Sequence, residues 1–236
     1  MYKLVAAIVL ISFAVSCSEQ EQIAQQGVIN YKIEYTNPDS RNPLTGMLPG
    51  RMIVKFRNHN TRTKIDGPMG FFSFEYLSDY KQGANYTLFR IIDKKYCYEA
   101  DSGMVSYGYE SMGKVKLEYT NETKIIAGYE CQKAILICEA FNNEPKPIYY
   151  TNQIRIKNPN SNNPFKEIDG VLLDFYVRLN HINMHIVADK VVYDNISLDD
   201  FVKPTDYKAV SSNELDNILK PLFYPAFGCT KIPTNR

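Results

Sequence analysis

Apolar and polar residues alternate with a period of two over most of this chain, a pattern typical of β-strands with one buried face. In VINYKIEYT, residues 28–36, Tyr31 and Ile33 fall on one face and Lys32 falls on the other. Similar segments predict further strands at residues 51–58, 71–77, 85–93, 94–100, 114–120, 147–156, 170–179 and 183–195, and within 123–140.

Short joints rich in Asn, Asp, Gly and Pro separate these segments, for example Asp66-Gly67-Pro68. Short joints between consecutive strands indicate antiparallel neighbours. The alternation changes parity at Asn180, which predicts a hairpin turn within residues 180–183. Two longer segments, 37–51 and 157–170, are rich in Pro and Asn yet contain apolar residues that an inert loop would not need.

One helix is predicted, in SSNELDNILKPL near the C-terminus. Ser211 and Glu214 have the spacing of a capping box, and Pro221 is expected to end the helix. No repeat and no long linker divides the chain after residue 30. The prediction is therefore a mainly β protein, with a single antiparallel sheet of about ten strands and a short C-terminal helix, in one domain over residues 28–236.

The N-terminus has the pattern of an export signal. An apolar run follows Lys3 and is too short to span a bilayer. It ends in Ala14-Val15-Ser16-Cys17, which resembles a bacterial lipobox, where the chain is cut before a cysteine that carries lipid. The resemblance implies a signal peptide at 1–16, lipidation of Cys17 and a flexible tether at 17–27. It also implies an outer-membrane lipoprotein, periplasmic or surface-facing, that contacts the membrane through Cys17.

Charge argues against a nucleic-acid partner. Removal of residues 1–16 takes away one of the 27 basic residues and leaves 26 against 26 acidic residues. No basic block stands out, whereas nucleic-acid-binding proteins concentrate Lys and Arg on one surface.

The remaining cysteines are expected to form disulfides after export. Cys131 and Cys138 lie seven residues apart on one predicted strand. That separation is roughly 23 Å, whereas a disulfide requires Cα atoms within about 7 Å. We therefore predict a Cys131–Cys229 bridge, with Cys97 and Cys138 either paired to each other or left as buried thiols.

No catalytic residue, metal site or cofactor is predicted. His181 and His185 have a spacing that suits zinc on a helix, but on a strand it separates them by about 13 Å. The acidic residues Asp93, Glu167 and Asp199 fall in predicted loops and caps. Nucleophile elbows, phosphate loops and dinucleotide-binding turns are absent from the sequence.

Two segments carry a family resemblance. KIIAGYECQKAILI, residues 124–137, resembles the Lys-x-Ile-x-Gly-Tyr-x-Cys-x-Lys-Ala segment of secreted proteins of the GLPGLI family and a related family of unknown function. LDDFVKPTDYKAVSSNEL, residues 198–215, resembles their final segment, although the GLPGLI signature itself is absent. The resemblance covers roughly residues 28–220. It implies a strongly curved antiparallel sheet, an incomplete barrel with an apolar concave side, as in the lipoprotein-carrier fold.

A half-closed apolar sheet needs side chains, a helix or a ligand to fill its concave face. We therefore expect a non-catalytic envelope protein that binds an apolar ligand, such as a lipid acyl chain. The alternatives are a protein-interaction or structural module of the envelope, with an envelope protein as partner, and an enzyme. The expected ligand-binding residues, of which the last two are alternatives on opposite faces, are Met52, Val54, Phe56, Phe74, Leu88 and Phe89.

Overall fold

The protein is built on one large β-sheet. The computed structural model describes residues 25–36, 46, 48–79, 83–101 and 103–223, with side chains as far as residue 220. The strands are β1 (Gln26–Tyr35), β2 (Arg51–Arg57), β3 (Asn60–Asp66), β4 (Phe72–Asp79), β5 (Ala84–Ile91), β6 (Lys94–Ala100), β7 (Val115–Ile126), β8 (Tyr129–Cys138), β9 (Lys146–Thr151), β10 (Val171–Leu179), β11 (Ile182–Tyr193) and β12 (Lys208–Ala209).

Two antiparallel meanders, β1–β6 and β7–β11, make up this sheet. They join where β1 pairs with β11, so that Tyr31 lies opposite Ala188. The full order is β12-β6-β5-β4-β3-β2-β1-β11-β10-β9-β8-β7, and only the two-residue β12 runs parallel to its neighbour. Residues 101–114 connect β6, near one edge, to β7 at the other. β7 and β12 do not pair, so the sheet is open.

The predicted mainly β class, with one open sheet and a short C-terminal helix, is confirmed, and the predicted number of strands is too low. The sheet has 12 strands rather than about ten. The additional strands are β12 and β3. The sequence of β3, NTRTKID, contains a single apolar residue. β1 also begins at Gln26, inside the predicted tether, and the Gln25 carbonyl accepts a hydrogen bond from the Asn58 amide. Cys17 and the signal peptide lie outside the described residues, so their roles remain predictions.

One cavity extends across half of the strands of the sheet. Six strands that are neighbours in the order β4-β3-β2-β1-β11-β10 line this cavity. Tyr76 on β4 and Val177 on β10 belong to the two outermost of these strands. On a flat sheet β4 and β10 would lie about 24 Å apart, because neighbouring strands are spaced by about 4.8 Å. We call the face that carries Tyr31, Met52 and Val177 the inner face and the opposite one the outer face.

Segment 152–170, between β9 and β10, covers the inner face. Its Ile154, Phe165 and Ile168 are buried in the main hydrophobic core. The Asn160 amide holds the segment closed by donating to the carbonyls of Ile168 at 2.8 Å and Gly170 at 2.9 Å. The apolar residues of this predicted long loop are thus core residues.

The β4–β6 part of the sheet is covered on both faces. On the inner face, the helix α1 (Ser212–Phe223) packs Leu215 and Leu219 against a cluster that contains Phe89. On the outer face, Ile196 and Phe201 pack over Leu88.

Two cationic side chains fasten the outer covering segment to the sheet. Lys55 pairs with the Asp200 carboxylate at 2.9 Å, and Arg62 donates to the Asp200 carbonyl at 3.0 Å. Arg62 also pairs with the buried Glu75 at 2.6 Å.

The predicted capping box of α1 is confirmed, since the Glu214 carboxylate accepts from the Ser211 amide at 2.8 Å. The predicted end at Pro221 is wrong, because the helix runs to Phe223. Pro221 removes one hydrogen bond, the one to the carbonyl of Asn217 four residues earlier, and the helix continues for two more residues. Over the described residues, no helix combines the length and the apolarity that crossing a membrane requires.

Candidate functional site

A cleft lies between the inner face and segment 156–165, and we call it the inner cleft. Its volume is about 90 Å³. Its floor is apolar and comes from Ile29, Met52 and Val54 on the first meander and from Val177 and Ile186 on the second. The floor therefore exists only because β1 and β11 bring the two meanders together.

Part of the lining of the inner cleft is polar. Thr61 and Thr63, on the inner face of β3, contribute hydroxyl groups, and Tyr109 and Asn162 come from the connecting segments. All four are half-buried, and we call this group of residues the polar rim. Hydroxyl and amide groups can both donate and accept hydrogen bonds, so the rim suits a neutral polar ligand group.

The Tyr109 hydroxyl is a hydrogen-bond donor at neutral pH. Its ring stacks on Tyr76 with centroids 5.2 Å apart. Desolvation raises the pKa of Tyr109 above its ordinary value, so the phenol keeps its proton. On the cleft floor, the Tyr31 hydroxyl is already occupied, because it donates to the Leu172 carbonyl at 2.9 Å.

The inner cleft brings together only part of the predicted ligand-binding set. Met52 and Val54 line it, whereas Phe56 is fully buried in the core beside it. Phe74 lines a second, smaller cleft with Tyr35. The two alternatives, Leu88 and Phe89, are both buried, in separate clusters on the two faces of β5.

The predicted acyl-chain ligand does not fit the inner cleft. Pockets that bury a drug-sized ligand have volumes of about 300–1,000 Å³, and this cleft has about 90 Å³. The concave face is filled instead by its own side chains and by segment 152–170. The cleft has room for one substituent of a ligand.

A second polar group of residues lies on the outer face. Asp174 is buried and accepts from His185 Nε2 at 2.7 Å and from Lys124 Nζ at 3.1 Å. Tyr176 stacks on the His185 ring with centroids 4.2 Å apart. The remaining ring nitrogen, Nδ1, lies 3.6 Å from the exposed Glu34 carboxylate.

This arrangement fixes the orientation of one imidazole. A carboxylate that holds one ring nitrogen leaves the other available for proton transfer, as in hydrolytic sites, although the same contacts also stabilise a sheet. Sequence analysis missed Asp174. The available signal is a single acidic residue inside the apolar strand VLLDFYVRL, which requires a partner.

The described cysteines are buried and do not bridge one another. Cys97 and Cys138 belong to different hydrophobic clusters, so the alternative bridge between them is not formed. Burial raises the pKa of Cys131 to about 11, which disfavours the reactive thiolate. Cys229 lies outside the described residues, and its bridge to Cys131 remains a prediction.

The other residues weighed for chemistry do not converge on a site. His181 is exposed in the predicted turn after β10. Asp199 lies in a short 3₁₀ turn that Ser197 caps, and its amide donates to the Ser197 hydroxyl. Within the ranges that the structure describes, no three His, Cys, Asp or Glu side chains are grouped so that they could hold a metal ion.

Comparison with known proteins links the chain to one family. The family model described as "N-glycanase peptide, N-terminal domain" matches residues 87–205, about half of the chain. A solved structure described as "Structure of PNGF-II in C2 space group" is 16% identical with a TM-score of 0.48 and covers 80% of this chain and 31% of that chain. This chain therefore spans about a third of that structure's length. No curated protein matches the sequence.

The family match corrects the GLPGLI resemblance, because residues 87–205 include the first of the two segments that carried it and the start of the second. The structure explains the similarity. Ala127 and Gly128, with φ of 49° and 86°, form the two-residue turn of the β7–β8 hairpin, and Ile126 and Cys131 beside them are buried. Two-residue turns with positive φ favour a small set of sequences in any hairpin. The motif therefore spans the turn of this hairpin and the buried positions beside it.

The same match corrects the functional expectation. The predicted non-catalytic, lipid-binding function is wrong, since the matching family is named for an N-glycanase, which is an enzyme. Of the alternatives considered from the sequence, the enzyme agrees best with this finding.

Proposed function

Because this chain belongs to the family described as "N-glycanase peptide, N-terminal domain", we propose that it takes part in the removal of N-linked glycans from glycoproteins and that it binds the glycosylated polypeptide. The family match over residues 87–205 carries this proposal. The matched region contains β10, β11 and segment 156–165, which form the second half of the inner cleft.

The inner cleft supports a role in binding a glycosylated chain. Sugars present hydroxyl and amide groups together with apolar C–H faces. The cleft offers an apolar floor at Met52 and Val54 beside the hydroxyls of Thr61, Thr63 and Tyr109. The rim carries no ionisable group that is charged at neutral pH, so it suits a neutral ligand.

The test is isothermal titration of the whole chain with a glycopeptide that carries one N-linked glycan. The matched control is the same peptide with aspartate at the glycosylated position and no glycan. We expect the glycopeptide to bind and the control peptide to bind at least tenfold more weakly, a difference of about 1.4 kcal/mol. Equal affinity for the two peptides would contradict the proposal.

A second candidate function is hydrolysis by this chain itself, and the Asp174–His185 pair favours it. With Nε2 held by Asp174, His185 Nδ1 is the ring nitrogen that could accept a proton from an attacking water. Mass spectrometry of the glycopeptide after incubation measures glycan release. Release by the wild type that is lost in His185→Gln, with folding unchanged, supports this candidate, and absence of release excludes it.

A further inference from the structure

Three apolar side chains are exposed at one end of the sheet, on the turn before β4 and the turn after β5. Met69 is fully exposed, Phe71 is 40% exposed and Ile92 is 62% exposed. The two turns are joined, because the Ile92 amide donates to the Phe71 carbonyl at 2.9 Å. We call these three residues the apolar tip. Apolar side chains grouped on a surface mark a contact with a partner.

The backbone of the apolar tip is strained. Met69 and Ile92 have φ of 51° and 52°. Positive φ is an outlier for a β-branched residue, and Ile92 is the first residue of a two-residue hairpin turn, where glycine is favoured. Backbone strain of this kind concentrates at functional sites. The chain therefore exposes two apolar side chains at positions that would suit glycine better.

The apolar tip lies beside the second cleft. Phe72, which directly follows Phe71, lines this cleft together with Leu48 and Ile182. The Phe72 ring packs over Gly67 in the same turn, where a Cβ would lie 2.4 Å from the ring. The second cleft also adjoins the inner cleft, because three residues line both: Ile65, Leu179 and Met184.

The second cleft suits one apolar side chain. The side chains of its two polar lining residues already have partners: the Tyr35 hydroxyl donates to the Pro49 carbonyl at 2.6 Å, and the Asn180 side chain is hydrogen-bonded to Tyr107. Its volume is about 50 Å³, whereas one water molecule needs about 10–15 Å³. The cleft thus has room for several atoms that make no hydrogen bonds.

The charges around the apolar tip favour a polypeptide over an anionic membrane as the partner. Arg90 donates to two carbonyls of the tip turns, and Lys64 pairs with Asp66 at 3.0 Å. The exposed Lys94 follows the exposed Asp93. The basic side chains are therefore engaged or balanced, whereas binding to anionic lipid depends on an excess of Lys and Arg.

We propose that the second cleft and the apolar tip form a docking site for an apolar side chain of the polypeptide that carries the glycan. This inference rests on the proposed function. The side chain enters the second cleft against Phe72 and Ile182, and adjacent parts of the polypeptide contact Met69 and Ile92. Since the two clefts adjoin, the protein selects glycosylation sites that have apolar neighbours.

The test is isothermal titration with two N-glycopeptides that carry the same glycan and differ only in the residues on either side of the glycosylated asparagine. These residues are leucine in one peptide and serine in the other. Met69→Gly and Ile92→Gly remove side chains of the tip, and glycine suits both positive φ values. Ile125→Ala on β7 is the matched control, because Ile125 is 67% exposed. Circular dichroism checks that each variant folds.

We expect the leucine glycopeptide to bind about fivefold or more tightly than the serine glycopeptide. Met69→Gly and Ile92→Gly should each weaken binding of the leucine glycopeptide by about three- to tenfold, because part of an apolar contact is lost. Ile125→Ala should leave it unchanged. Equal affinity for the two glycopeptides, or wild-type affinity in the folded double variant Met69→Gly/Ile92→Gly, would overturn the docking site.

Two further comparisons separate the alternatives. The leucine peptide with aspartate in place of the glycosylated asparagine tests the proposed function. If both glycopeptides bind equally and more tightly than this peptide, the docking site is wrong and the proposed function stands. If the leucine residues strengthen binding and the glycan adds nothing, the docking site stands and the proposed function is wrong. Sedimentation with phosphatidylcholine–phosphatidylglycerol vesicles tests the membrane, and vesicle binding that the double variant abolishes, without a preference for leucine, would also overturn the docking site.

Discussion

At the scale of single residues, Asp174 shows what the sequence can and cannot predict. Alternation places it on the face opposite Phe175, and a lone acid in an apolar strand indicates a buried partner. Its partners cannot be deduced, because Lys124 lies 50 residues away along the chain. His185 is closer, but only the β10–β11 pairing reveals that it reaches Asp174.

Asp174→Ala should lower the free energy of unfolding by about 2–3 kcal/mol. Loss of one partner of a buried ion pair costs about 3–5 kcal/mol. We expect less here because half of the Lys124 side chain is exposed and can be solvated. Asp174→Asn keeps an acceptor and should cost less. Urea denaturation followed by circular dichroism measures both values.

A matched substitution controls for this measurement. Asp189 also lies on the outer face, but in its ion pair with Lys32 both side chains are exposed. Exposed pairs contribute about 0–1 kcal/mol, so Asp189→Ala should have little effect. The interpretation of Asp174 fails if the two alanine variants are equally stable.

At the scale of elements, strands with apolar alternation were predictable and the polar strand β3 was not. Only Ile65 is buried there, and Thr61 and Thr63 were not recognised as inward-facing residues. The reason is physical, since polar residues form a strand when neighbours on both sides supply hydrogen bonds, here β2 and β4. The rim of the inner cleft was therefore missed together with its strand.

The capping box makes the stability of α1 dependent on pH. Hydrogen bonds from Ser211 lower the pKa of Glu214 below its usual value of 4.5. A carboxyl group whose pKa is lower in the folded state than in the unfolded state stabilises the folded state. This stabilisation is complete above the pKa of the unfolded state and is lost as the pH falls through the pKa of the folded state. We therefore expect α1 to unfold locally in acid below pH 4.5, as amide hydrogen exchange of its first turn would measure.

Two variants show whether the capping box causes this effect. Glu214→Gln should weaken the pH dependence in the first turn of α1, and Lys208→Gln, which changes a charge outside the helix, should largely preserve it. An unchanged acid transition in Glu214→Gln would assign the effect to another group.

At the scale of the whole molecule, the sequence predicts the class and the hairpins but not the central pairing. Consecutive strands lie side by side because their turns are short. The β1–β11 contact joins residues such as Tyr31 and Ala188, which are far apart along the chain, and no local pattern encodes it. Since the inner cleft forms around this contact, only Met52 and Val54 of its floor were predicted.

The central claim is that this chain binds an N-glycosylated polypeptide on its inner face. Its most direct test is an NMR titration of the isotopically labelled protein with an N-glycopeptide, followed through backbone amide shifts. We predict shifts at Thr61, Thr63 and Asn162, which line the inner cleft, and none at Lys55 or Lys190 on the outer side. Shifts confined to the outer face, or no shifts at a saturating concentration of glycopeptide, would contradict the account.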